Sequence, residues 1–122
     1  MRNNMNLEQL ENILSSKSGV TKEFPFGDEA MVFKVMNKMF ALIAWKEKPL
    51  RITLKSLPQD AIAYREIYSC VIEGYYMNKK HWNTIILDGT MKEKILTEMI
   101  DESYNLVVDK LTKKEKLSLK NN

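Results

Sequence analysis

Between Met31 and Lys55 the chain changes polarity with a period of two, which dictates strands rather than helix. Met31, Phe33 and Val35 alternate with Val32, Lys34 and Met36, and Leu50, Ile52 and Leu54 alternate with Arg51, Thr53 and Lys55. Between these runs, Met39 to Trp45 is almost continuously apolar, as a covered central strand would be. Asn37-Lys38 is read as a tight hairpin connection, because Asn tolerates positive φ, and Glu47-Lys48-Pro49 turns the chain again. Strands joined by connections this short pair antiparallel.

Helical spacing flanks these strands. Leu7, Leu10, Ile13 and Leu14 recur on one face, with Glu8 and Glu11 on the wet side. Asn4 and Asn6 are both candidate N-caps, and Gly19 is suited to the left-handed conformation that ends a helix. Phe24-Pro25-Phe26-Gly27-Asp28 reads as a short turning piece whose phenylalanines pack against apolar neighbours; packing explains it better than ligand capture. Pro58 suits the first turn of a second helix, which would bury Ala61, Tyr64, Ile67 and Tyr68. Val71 and Ile72 add a short extended piece, and Trp82 to Leu87 reads as the last strand, closed by Asp88-Gly89. Thr90-Met91-Lys92-Glu93 fits a capping box ahead of a stripe running from Ile95 to Leu111. The eight methionines are read as flexible core filling. This order predicts an α+β fold: a mostly antiparallel sheet covered on one face by helices. Residues 1–112 read as a single domain, and residues 113–122 as a basic tail that frays into solvent.

Composition narrows the function classes. Apolar residues make up 44% and charged residues 29% of 122 residues, an ordinary folded domain. One cysteine, Cys70, excludes an internal disulfide and a multi-thiolate metal site, and fits a cytoplasmic setting. The opening residues lack an apolar signal region and no apolar run has membrane-spanning length, so neither secretion nor a membrane partner is expected. There is no glycine-rich phosphate loop, no nucleophile elbow and no metal-ligand spacing. A non-enzyme without cofactor or metal is therefore expected, with Cys70 as inert packing rather than the thiol partner of His81.

Charge is distributed unevenly. The net charge is +3, yet residues 30–58 carry Lys34, Lys38, Lys46, Lys48, Arg51 and Lys55 against Glu47 alone, and five more lysines follow residue 109. Residues 59–109 are net acidic. If Lys34, Arg51 and Lys55 share one face of the sheet, that face is basic. Beside them in sequence lies Gly74-Tyr75-Tyr76-Met77-Asn78-Lys79-Lys80-His81-Trp82-Asn83-Thr84, which concentrates aromatic and basic side chains with the only histidine. Lysines there suit phosphates, and rings suit stacking on bases. The plainer reading is a solvated turn, with Trp82 starting the next strand as a packed residue and His81 as an orienting hydrogen-bond partner.

Four pieces together resemble the MmcQ/YjbR family of small bacterial proteins: Phe24-Pro25-Phe26-Gly27, Phe33-Lys34-Val35 through Lys38-Met39-Phe40-Ala41, the Gly74-to-Thr84 segment, and Ser103-Tyr104 through Val107. The resemblance covers nearly the whole chain. It implies a fold similar to bacterial frataxin (CyaY), a double-wing α/β sandwich, and a DNA-binding role. Many members carry His where this chain has Tyr76. Frataxin-like iron binding would want a carboxylate ridge on the first helix, which offers only Glu8 and Glu11. The expected function is a small nucleic-acid-binding module, a regulator or accessory factor, contacting double-stranded DNA mainly through its backbone. Lys34, Lys38, Arg51, Lys55, Tyr76, Asn78, Lys79, Lys80, His81 and Trp82 are the expected contacts. The alternative is a protein-interaction module that docks a partner through the Gly74–Thr84 loop. A monomer is expected.

Overall fold

A computed structural model describes residues 5–74 and 78–121. In chain order the elements are α1 (Leu7–Ser15), β1 (Val20–Glu23), β2 (Met31–Val35), β3 (Lys38–Ala44), β4 (Arg51–Lys55), α2 (Pro58–Ile67), β5 (Val71–Glu73), β6 (Trp82–Ile86), α3 (Glu93–Asp109) and α4 (Lys113–Lys120). The strands form one antiparallel sheet in the order β1-β2-β3-β4-β6-β5. The α+β architecture is as expected. None of the described helices is long and apolar enough to cross a membrane.

Cross-strand register sorts the side chains onto two faces. One face carries the row Met31, Ile43, Ile52, Ile85 and Val71, with Phe33, Ala41, Leu54 and Asn83 in the next row. The apolar members of both rows are buried in the core with Leu10 and Leu14 of α1 and Leu96, Met99, Ile100 and Val107 of α3. Each large apolar side chain buried in this way contributes about 1.5–3 kcal/mol, so this layer dominates the stability. The other face carries Val32, Lys34, Leu42, Arg51, Thr53, Lys55, Trp82, Thr84 and Ile72, and no helix packs on it among the described residues.

Local chemistry explains the ends of the elements. Asn6 caps α1 and forms a reciprocal capping box with Gln9. The β2–β3 connection is Met36-Asn37, with φ of 48° and 66°, and Lys38 already pairs with Val35; the turn therefore sits one residue earlier than the sequence suggests. Asn at one position lowers the strain of two consecutive positive φ angles. Thr90 does not cap α3. Its backbone N–H and hydroxyl both donate to Asp88, and Lys92 occupies the cap position with no side-chain bond. The competing local turn to Asp88 explains the difference.

Other departures have similarly plain causes. Val20–Glu23, too short and too mixed in polarity to stand out, is edge strand β1. Ile67, expected to be buried, is 67% exposed at the end of α2, whose buried side is Ala61 with half-buried Tyr64 and Tyr68. Residues 113–120, expected to fray, form α4. Thr112 and Glu115 make a second capping box, and Leu119 is buried in the core. One apolar anchor and a good cap suffice to dock a helix whose remaining surface is charged.

The register between β2 and β3 slips after Phe33. Phe33 faces Ala41, but Lys34 faces Met39, so Phe40 is an extra, bulged residue. Its ring is buried and meets Tyr104 of α3 edge-on, with centroids 5.3 Å apart at 85°. Ser103 of α3, fully buried, donates from Oγ to the Phe40 carbonyl at 2.5 Å and accepts the Lys55 N–H at 2.9 Å. One hydroxyl thus satisfies two backbone groups beside the bulge. Ser103→Ala strands both in a buried setting, where an unmet polar group costs roughly 1–3 kcal/mol. Urea unfolding of this variant should show a loss of at least about 1 kcal/mol with an unchanged m-value; stability equal to the parent would show that the bridge contributes nothing.

Candidate nucleic-acid interface

The open face ends in a row set by the register. Lys34 faces Met39, and Lys55 faces Trp82. The pleat puts Lys34 and Lys55 on this same face, two strands apart, so about 10 Å separates their backbones. Trp82 is half-buried and lies outside the core, contrary to the expectation that it starts β6 as a core residue. Core space at its strand end is taken by Asn83 instead. Asn83 is fully buried, donating from Nδ2 to the Ala61 carbonyl at 2.9 Å and accepting from Arg65 at 2.7 Å. That pair of bonds clasps α2 to the sheet, and alternation then sends Trp82 to the opposite face.

The turn before Trp82 is built around Asn78. Its carbonyl accepts the His81 N–H at 3.1 Å and the Trp82 N–H at 3.0 Å, and its side chain accepts the Lys80 N–H at 2.9 Å. Asn78, expected as a nucleic-acid contact, thus spends its side-chain oxygen inside the turn. Ser56 donates its N–H to the His81 carbonyl at 2.7 Å, which fastens the turn to the end of β4. His81 orients the turn through its backbone, and its imidazole has no hydrogen-bond partner among the described residues. Lys79 and Lys80 are exposed, and neither they nor Lys55 has an ion-pair partner among the described residues. Tyr76, with Tyr75, lies outside the described residues.

The remaining expected cations separate from this group. Lys38 faces Val35 on the helix side and approaches Glu115 of α4 at 4.0 Å. Lys34 stays on the open face but contacts Glu23 at 3.3 Å. The Thr21 hydroxyl first, and Lys34 second, hold the Glu23 carboxyl below the ordinary carboxylate range. Glu115 is lowered chiefly by the Thr112 backbone N–H, with Lys38 adding to it. Arg51 shares the open face with Lys55 but lies four residues away, roughly 13 Å along the strand. The structure therefore divides the predicted basic face in two. Lys55, Lys79, Lys80, His81 and Trp82 gather at one end, and of the expected cations Arg51 lies toward the other.

Residues 15–106 match the YjbR family. The chain belongs to the YjbR family. The uncharacterized protein YbdF of Escherichia coli O157:H7 is 40% identical over 92 residues, 75% of each chain. The uncharacterized protein YjbR of Escherichia coli K12 is 27% identical over 112 residues, 92% of this chain and 95% of its own. Among solved structures, Deinococcus radiodurans protein DR2400 superposes with a TM-score of 0.88 at 37% identity, covering 93% of this chain and 87% of that one. A Pseudomonas syringae protein superposes with a TM-score of 0.72 at 26% identity, covering 84% and 98%.

One glycine of this YjbR-family chain is tied to the site by space. Gly74 leaves β5 and donates its N–H to the Trp82 carbonyl at 2.9 Å. A Cβ at Gly74 would meet both the Trp82 carbonyl oxygen and the Trp82 Cβ at 2.9 Å. Neither is the yielding end of a flexible chain, so the strands would have to part. Gly74→Ala should destabilise the protein by about 1–3 kcal/mol in chemical unfolding, the usual cost of overpacking. An unchanged midpoint would show that β5 and β6 separate freely here.

Proposed function

We propose that this protein is a small nucleic-acid-binding module that contacts the phosphate backbone of double-stranded DNA through the end of its sheet. The observation that carries this reading is the set of cations, Lys55, Lys79 and Lys80, that have no ion-pair partner among the described residues and sit in the turn and strand end beside half-buried Trp82, held by the Ser56–His81 and Asn78 hydrogen bonds. Cations without internal partners need not give up an ion pair to meet phosphate. Lys34 and Lys38, already near carboxylates, contribute less. The DNA-binding role implied by the family resemblance agrees with this reading. A regulator or accessory factor is the role such a module would fill.

Three phosphate contacts release counterions with a slope of log K against log salt near −0.9 per contact, or about −2.7 in all. Affinity for non-specific duplex should lie on the order of 10⁻⁴–10⁻⁶ M at physiological salt. Titrating labelled duplex at several salt concentrations should give that slope for the parent. It should collapse toward zero for Lys55→Ala/Lys79→Ala/Lys80→Ala, whereas Glu23→Gln, which releases Lys34, should steepen it by up to about one unit. Identical slopes for parent and triple variant would refute the interface.

A further inference from the structure

The part of the open face around Arg51 forms a second, chemically different site. A cleft of about 770 Å³ lies there, over β3, β4, β6 and β5 and beside the segment leading into β2. That volume is within the range of small-molecule sites, roughly 300–1,000 Å³. Its floor includes Met39, Leu42, Ala44 and Ile72, and Phe26 forms part of its wall. Phe26 is 68% exposed and Phe24 44% exposed, so the phenylalanines of the Phe-Pro-Phe-Gly segment, expected to pack against apolar neighbours, are covered only in part. Trp45 donates its indole N–H to the Asp28 carbonyl at 2.8 Å and so holds the far end of this segment.

The polar groups in the cleft are few and specific. Arg51 lines it, and its Nε is buried without a hydrogen-bond partner among the described residues. Its cross-strand neighbours are Ala44 and Ile86, whose side chains accept nothing. A guanidinium stays charged at any physiological pH and presents its donors in a fork that matches a carboxylate. Two residues along the same face, the Thr53 and Thr84 hydroxyls lie 2.8 Å apart in a buried pair. Whichever of them donates, the other retains a proton for an incoming acceptor.

The acids around the cleft limit the size of that anionic charge. Lys46 is engaged by Asp28 at 3.1 Å and Glu29 at 3.4 Å, and hydrogen bonding to Asp28 holds its ammonium pKa above the usual value. Glu47 also lines the cleft and has no ion-pair partner among the described residues, while Glu73 borders it from edge strand β5, in register with Asn83 of the helix-covered face. A nucleic-acid backbone or a dianionic phosphate would meet net repulsion from these carboxylates, whereas a monoanion needs only Arg51.

We propose that this cleft binds a small monocarboxylic acid, with its carboxylate on the Arg51 guanidinium and its apolar or aromatic body against Leu42, Ile72 and Phe26. Its charged group, Arg51, lies at the opposite end of β4 from Lys55. It can be tested on the full chain by following backbone amide resonances during titration with 3-phenylpropanoate and octanoate, each beside its primary amide. The acids should shift the amides of Leu42, Thr53 and Thr84 saturably and bind at least about tenfold more tightly than their amides, a difference of about 1.4 kcal/mol. Arg51→Met should abolish the preference for acid over amide. Ala44→Leu, which fills the floor without altering charge, should weaken both. Retained preference in a folded Arg51→Met protein, equal binding of acid and amide, or no saturable shift with either acid in the millimolar range would overturn the proposal.

Discussion

A single buried hydroxyl reconciles the bulge in the central strand with the helix that covers it. The bulge at Phe40 turns a large ring toward α3 and leaves its carbonyl without a strand partner on the helix side, where water does not reach. Ser103 donates to that carbonyl and accepts from the N–H of Lys55 on the neighbouring strand. A hydroxyl is the smallest side-chain group that can do both at once. Because its two partners belong to β3 and β4, the bond also fixes where α3 lies along the sheet. The final residue of β4 is held at its backbone while its side chain projects to the opposite face. The placement of Lys55 at the proposed interface therefore follows from a contact made on the other side of the sheet.

The two faces divide the labour. Helices bury one of them, and the dominant apolar term is collected there. The other face carries two proposed recognition surfaces of different character. At one end, lysines without acid partners among the described residues lie opposite Trp82 or in the turn leading into it, an arrangement suited to a repeating polyanion. In the cleft, one guanidinium and a hydroxyl pair are ringed by carboxylates, an arrangement suited to a single negative charge on an apolar body. The separation between them is set by the strand itself, since Arg51 and Lys55 are the first and last residues of β4.

Much of the architecture was legible in the sequence because it rests on periodicity. The alternation from Leu50 to Lys55, the apolar run of β3 and the stripe of α3 each encode burial by position along a regular element, and each formed as read. The elements that escaped were short or depended on contacts distant in sequence. Strand β1 is recruited by pairing with β2. Helix α4 is held by Leu119 entering the core. Phe26 could not be placed from its neighbours alone, because a Phe-Pro-Phe-Gly segment has no period to say which way its rings turn.

The sequence by itself determined the antiparallel α+β layer, the shared face of Arg51 and Lys55, and the concentration of cations in the middle of the chain, since these depend only on residue order and a period of two; that Lys34 joins that face was decided by the pairing of β2 with β3. Only the tertiary structure decided which cations keep their charge available and which spend it. Glu23 comes to Lys34 across a strand pair, and Glu115 comes to Lys38 from a helix 77 residues away in number. The same folding left the Arg51 Nε buried without a hydrogen-bond partner among the described residues. Charge neutralisation depends on distances of a few ångströms between groups remote along the chain, and no local pattern carries that information.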